Sequence, residues 1–360
     1  MAVNRVFVTG WGAVSPAGWN VAALREALNK GVPLPIQPLE RPGSATPLQA
    51  RLVPNPTVRP EFLAHPRLRR SSPITHYAAA AALDAIAGLR ASRAGKSRMG
   101  IVVCVQAGCV QYSCRFFDET LKNPATASPL LFPETVYAAP ASHVAALLEN
   151  VALAYTLVGD PAAFLQGTSL GIQWLAEDRV DACLIIGAEE NNWILADALW
   201  HLDRRAVITC GAGALCLSLD PELSAGVELS AITDPHTCSA RQNRMQAALA
   251  MRSQLPPGSP GELLCDSLGN SPRADAAERA AWRDWTGKRL SPKRILGEGL
   301  MASAAWQCVA ACDAVANGPF SAATVSLVGS NELAIGARFV TVNSTISHLS
   351  ARQSAGNIRP

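Results

Sequence analysis

Two short segments without a single polar side chain most constrain what this chain can become. Residues 99–105 read MGIVVCV and residues 182–187 read ACLIIG. A strand with one wet face alternates apolar and polar residues, so an unbroken apolar strand must be covered on both faces. Such strands lie in sheets flanked by helices on either side, which predicts an α/β architecture. The surrounding segments supply the helices. NVAALREALNKG near the start has helical spacing, and Ala-rich stretches over 76–89 and 302–316 suit close packing inside layers. Further helices are expected at 241–252 and 274–285, and strands at 5–9, 262–265, 323–328 and 333–341. CGAGALCLSLD and GVELSAIT read as an antiparallel pair joined at Pro221. The later segments repeat the style of the earlier ones, which predicts a duplicated chain. Its halves are residues 1–225 and 226–343, followed by a polar tail over 344–360. Residues 33–73, rich in proline and arginine, read as a surface excursion.

With 360 residues, 49% of them apolar and 16% charged, a large buried core is within reach. A net charge of +3 argues against nucleic acid as a partner. Arg67, Arg69 and Arg70 form a local basic patch, read either as a solvated loop or as a contact for an acidic carrier. The ten cysteines sit mostly in apolar stretches such as VVCVQAGCV and ALCLSL, with no C-x-x-C pair. Zinc and a disulfide framework are therefore not expected, and neither is any other cofactor. Buried, reduced thiols in a cytoplasmic protein are the simpler account. No stretch reads as a signal peptide or as a membrane span.

A third segment bears on chemistry. From Gly159 the chain reads GDPAAFLQGTSLGIQWLAEDRVDACLIIGAEE. The apolar run 162–165 is expected to meet a sharp turn at Gly167, with a helix following. Gly167 to Gly171 matches G-x-S-x-G, the nucleophile elbow, which makes Ser169, and Thr168 beside it, candidate nucleophiles of a hydrolase or self-sufficient acyltransferase. A serine hydrolase needs an acid and a histidine later in the chain. Only His201, His236 and His348 follow, none in a distinctive setting, and no HGGG-like oxyanion stretch is present. The alternative places Ser169 in the first turn of a helix, where serine is favoured. Gly10 and Gly12 begin like a dinucleotide fingerprint, but the third glycine is missing and Ser15-Pro16 interrupts, so no Rossmann site is expected.

Several segments together resemble the β-ketoacyl-ACP synthases of the thiolase superfamily. They are VFVTGWGAVSPAG, FPETVYAAPASH, the GDP at Gly159, DACLIIGAEE, CGAGALCLSLD, LLCDSLGNSPRADAAE, SPKRILGEGLMASAAW and VSLVGSN, spread over nearly the whole chain. The resemblance implies the thiolase fold, two similar halves stacked as five α-β-α-β-α layers and working as a dimer. Active members use a cysteine thiolate at a helix N-terminus to take the acyl chain from a carrier protein. Two histidines then assist decarboxylation of a malonyl unit. Carried onto this sequence, Gln166 aligns with the cysteine, with Thr168 as the other alignment, since the segment up to Asp181 is short for the family. Ser267 stands where the first histidine precedes a motif matched by Pro272 and Asp275. Lys293 and Gly297 match the second motif, but Glu298 replaces its histidine. Leu327 falls at the gating phenylalanine. An amide cannot accept an acyl group as a thiolate does, and a carboxylate repels a malonyl carboxylate. The chain is thus similar to the non-catalytic, chain-length-factor subunits of type II polyketide systems. These pair with a Cys-His-His ketosynthase, serve an acyl carrier protein and help shape the acyl channel. FPETVYAAPASH and the short length resemble the aryl-polyene branch. His143 within that motif is read as a structural hydrogen-bonding residue.

Overall fold

The computed structural model describes residues 5–89, 97–238, 243–269, 271–329 and 333–342. The strands are β1 (Val6–Val14), β2 (Gln37–Leu39), β3 (Leu48–Arg51), β4 (Met99–Val105), β5 (Val151–Val158), β6 (Ala182–Glu189) and β7 (Ile208–Thr209). They continue with β8 (Gly211–Ser218), β9 (Val227–Ile232), β10 (His236–Thr237), β11 (Leu263–Cys265), β12 (Lys288–Leu290), β13 (Ala322–Val328) and β14 (Leu333–Thr341). The α-helices are α1 (Val21–Lys30), α2 (Pro73–Ala85), α3 (Val110–Lys122), α4 (Ala139–Leu148) and α5 (Ala163–Ala176). After them come α6 (Trp193–Leu202), α7 (Arg244–Ser253), α8 (Pro272–Ala281), α9 (Pro292–Leu296) and α10 (Met301–Asn317).

The main sheet runs β12-β11-β13-β14-β9-β1-β8-β6-β4-β5. Starting at the β5 edge, the pairings are parallel, parallel, antiparallel, antiparallel as far as β1. Starting at the β12 edge, the same four pairings lead to β9. The path is therefore written twice, and the copies meet where β1 pairs antiparallel with β9. The expected direct pairing of CGAGALCLSLD with GVELSAIT is corrected here. Strand β1 lies between them, and the connection crosses over it, with the Ala225 N–H donating to the Val8 carbonyl. The 33–73 excursion is not merely loop, since β2 and β3 join β7 in a small separate sheet.

Three apolar clusters separate the layers. Ala-rich α2 and α4 cover one face of the first half of the sheet, burying Ala78, Ala82 and Val144 against Ile101, Val103 and Leu184. The opposite face meets α5 and α10, which lie between the two halves and bury Phe164, Leu165, Trp306 and Val309 among residues of both. Helices α7 and α8 cover the outer face of the second half around Trp282. This gives five alternating layers.

The Gly10/Gly12 pair has a packing role. A methyl group at either glycine would run into the carbonyl of Ala85 or Ala81, because α2 rides directly on β1. Gly12→Ala is expected to cost about 2 kcal/mol of unfolding free energy, as overpacking against rigid backbone does. A urea denaturation midpoint unchanged from wild type would contradict this account.

Candidate functional site

The segment after β5 does not fold as its apolar run suggested. Residues 163–165 are already helical, and Gly167 lies inside α5 rather than at a turn. A four-residue apolar run does not distinguish strand from helix. Gly167 is small because α5 packs onto the sheet: a methyl there would lie 2.5 Å from the Cys104 sulfur and 3.2 Å from Val102. The turn sits earlier, at Gly159-Asp160-Pro161. The Gly159 N–H donates to the Val105 carbonyl (3.1 Å), and the Asp160 carboxylate accepts from the Ala162 N–H (3.1 Å). Aspartate and proline are the residues that such a turn calls for, and a carboxylate at the start of a helix is favoured by its dipole.

Gln166 is therefore a half-buried residue one turn into α5, not a residue at its entrance. The Thr168 hydroxyl donates to the Phe164 carbonyl and the Ser169 hydroxyl to the Leu165 carbonyl, both at 3.0 Å. These are the back-bonds of mid-helix hydroxyls. Thr168 is fully buried. Of the downstream histidines, His201 is exposed near Asp197, His236 belongs to β10, and His348 lies outside the described residues. His143 sits buried with its Nε2 2.9 Å from the Glu134 carboxylate.

The remaining aligned positions converge. Lys293, buried in α9, donates to Glu298 Oε2 at 2.8 Å, and the other Glu298 oxygen accepts from the Leu300 N–H at 2.9 Å. Glu298 is fixed from the first half of the chain. Its N–H donates to Val207 (2.8 Å) and its carbonyl accepts from Thr209 (2.9 Å). Gly297 makes this crossing possible, with φ +101 and its Cα turned against the Val207 carbonyl. Leu300, at φ 49, is a non-glycine residue held in the left-handed region immediately beyond, the kind of strain that collects at functional sites. Ser267 follows β11. Its hydroxyl donates to the Ser326 carbonyl at 2.8 Å, and its N–H donates to the Glu278 carboxylate at 3.0 Å. Leu327 is buried in β13 between Ser326 and Val328, within the central core. The Asp160 carboxylate lies directly against Gly329, just past the end of β13.

Lys293 ties these groups together electrostatically. Burial works against its ammonium, but Glu298, Glu278 and Asp160 outweigh that and hold its pKa above the ordinary value. Burial raises the Glu278 carboxyl, with Asp266 adding to the effect. At the end of β6, Glu189 is pushed up to about 8 by burial, despite accepting from the backbone N–H groups of Gln106, Ala107 and Gly108. A carboxyl raised in this way keeps a proton in the fold that the unfolded chain releases. Its contribution is fully present below the unfolded pKa and is lost as pH rises through the folded one. Glu189→Gln should therefore flatten the decline in unfolding free energy between pH 4.5 and about 8. Denaturant titrations across that range check this, and an unchanged slope would count against it.

No activated thiol stands in the site. All ten cysteines are free, and burial is the leading cause raising the pKa of every one. Cys104, fully buried, is pushed up to about 12. Asp160, Glu278 and Ser326 are the site residues that sequence reasoning did not single out. The signal for Asp160 was the Gly-Asp-Pro turn itself.

No family model matches the sequence, and no curated protein matches it significantly. Its fold has clear counterparts. The ishigamide ketosynthase/chain length factor superposes with a TM-score of 0.78 at 18% identity, covering 94% of this chain and 99% of that one. The fold is thiolase-like. A β-ketoacyl synthase from Burkholderia phymatum superposes with a TM-score of 0.78 at 17% identity, over 94% and 100% of the two chains. The structure of a ketosynthase in complex with its chain length factor from Xenorhabdus doucetiae gives 0.74 at 13% identity, over 94% and 98%. The expected five-layered architecture is thus found. Among the described residues, no helix is long and apolar enough to cross a membrane.

Proposed function

We propose that this chain is a non-catalytic subunit of the chain-length-factor type, which pairs with a cysteine-bearing ketosynthase in carrier-bound acyl-chain elongation. The observation that carries the reading is the entrance of α5, where a carboxylate, Asp160, stands and no cysteine does. In this reading Asp160-Pro161, rather than Gln166 or Thr168, occupies the former nucleophile position. Ser267 and Glu298 stand in for the two histidines. The Ser267 hydroxyl is already committed to the Ser326 carbonyl, the Glu298 carboxylate only accepts, and its charge opposes a malonyl carboxylate. Lys293 offers no free cation, being occupied by Glu298.

A partner surface supports the pairing. Strand β5 ends the sheet with a proline-free, uncharged edge, VALAYTLV, and Tyr155 and Val158 are half-exposed on it. An edge of this kind invites a second chain. Phe117 and Leu121 of α3, Phe132 and Tyr137 are exposed as well. Phe132 packs on Phe116, and Tyr137 lies against Gly108, just beyond the end of β4. Arg67, Arg69 and Arg70 are exposed and, among the described residues, have no carboxylate partner, which suits an acidic carrier protein. We assign the pathway branch to the aryl-polyene type on the FPETVYAAPASH segment. Mass analysis of the product of the reconstituted complex tests that branch.

The assignment of the former nucleophile position has its own test. A thiol at a helix entrance is acidified, whereas one in the second turn is not. Asp160→Cys should react with iodoacetamide about tenfold faster at neutral pH than Gln166→Cys. The reverse order would return the position to Gln166. For the function as a whole, the purified chain should condense no acyl and malonyl thioesters, and co-expression with its ketosynthase should yield a one-to-one complex. Turnover by the chain alone would overturn the reading.

A further inference from the structure

A cavity of about 290 Å³ opens between α1 and the C-terminal half of α10. Its floor is apolar and buried: Leu24 and Leu28 of α1 face Val309 and Ala310 of α10. Leu290 and Phe320 line the walls. Asp313 is about 18 Å along the helix from Met301, where the catalytic-like cluster ends, so the cavity is a separate place in the fold.

Its polar groups are few and unequal. Arg25 clasps the Asp313 carboxylate through two N–H groups, at 2.6 and 2.5 Å, and Trp11 and Asn317 also donate to that carboxylate. This pair is mutually neutralised. Lys288 is different. Its ammonium lies 5.9 Å from the Phe320 ring centroid at the mouth and, among the described residues, has no carboxylate partner. An apolar pocket with one uncompensated cation at its mouth suits a ligand with an apolar body and a single negative charge. The volume corresponds to about ten waters, which limits that body to a short chain or one ring. One uncompensated cation balances one negative charge, which disfavours a dianion such as a phosphate monoester.

We propose that this cavity binds a small amphipathic monocarboxylate, with its tail on Leu24, Leu28 and Val309 and its carboxylate on Lys288. The site is independent of the subunit role proposed above. Octanoate is the probe, followed by isothermal titration and ligand-observed NMR on the full chain, with 1-octanol and acetate as the tail-only and head-only controls. Octanoate should bind one to one, with 1-octanol and acetate each at least about tenfold weaker, since a charge-assisted bond and the apolar body each contribute that much or more. Lys288→Gln, at an exposed position, should weaken octanoate about tenfold without changing the binding of 1-octanol. Ala314→Phe, which fills the cavity from its half-exposed rim, should abolish binding of both. Equal affinity for octanol and octanoate would overturn the carboxylate assignment. Octanoate binding that survives a folded Ala314→Phe variant would overturn the location, and no binding at millimolar octanoate would overturn the site itself.

Discussion

Replacing Lys293 with methionine is expected to lower the unfolding free energy by about 3 to 5 kcal/mol, the usual cost of stripping one partner from a buried ion pair. The Lys293 side chain is 7% exposed and that of Glu298 24%, and they meet at 2.8 Å. Without the ammonium, Glu298 loses its counter-charge, and Glu278 and Asp160 lose the cation that offsets their own burial. The pair itself need not stabilise the fold relative to an apolar pair of the same shape. The penalty comes from leaving one charge alone. Lys293→Met combined with Glu298→Gln should therefore recover a large part of the loss. Chemical denaturation of the two single variants and the double variant measures this. A Lys293→Met variant within 1 kcal/mol of wild type, on the order of a surface substitution, would show that the four groups are not coupled as described.

The second large effect concerns the proposed partner surface. Phe132 and Tyr155 are 56% and 51% exposed, so charging them disturbs little of this chain's own packing. At an interface, exposed aromatic anchors of this kind carry much of the binding energy. The double variant Phe132→Glu/Tyr155→Glu is expected to weaken the complex with the ketosynthase at least about thirtyfold, with the thermal midpoint of the isolated chain nearly unchanged. Sedimentation of the co-purified pair reads the first quantity and a thermal melt the second. An intact complex at the same concentration would place the interface elsewhere.

Much of this fold is legible in the sequence, and the exceptions share a cause. The two unbroken apolar strands, β4 and β6, and the Ala-rich α2 and α10 declare themselves because burial on all sides leaves no room for polar residues. β5 and α3 do not, because both are half-exposed and their periodicity serves a surface rather than a core. The order of β8, β1 and β9 was hidden for another reason. Two strands adjacent in sequence look like a hairpin unless a third strand, from the start of the chain, is known to come between them.

The site was legible by position more than by chemistry. Aligning motifs brought Ser267, Lys293, Glu298 and Leu327 to the second half, since Ser267 follows strand β11, Leu327 lies in strand β13, and Lys293 and Glu298 lie between β12 and the Ala-rich α10. The first half misled because Gly167 imitates a turn. Its hydrogen side chain is instead required where α5 presses on Cys104. Once the turn is moved to Gly159-Asp160-Pro161, the residue facing the site is an acid. The apolar run VVCVQAGCV already marks its thiols as buried, and Cys104 and Cys109 are so. Burial of charge is harder to read, and the cluster's dependence on one lysine emerges only when four distant segments are brought together.

The most direct measurement of the central claim is intact-protein mass spectrometry of the assembled pair after incubation with an acyl carrier protein loaded with a short acyl chain. The acyl group should appear on the cysteine-bearing ketosynthase alone, leaving this chain at its unmodified mass. An acyl adduct on this chain, on any residue, would contradict the non-catalytic assignment.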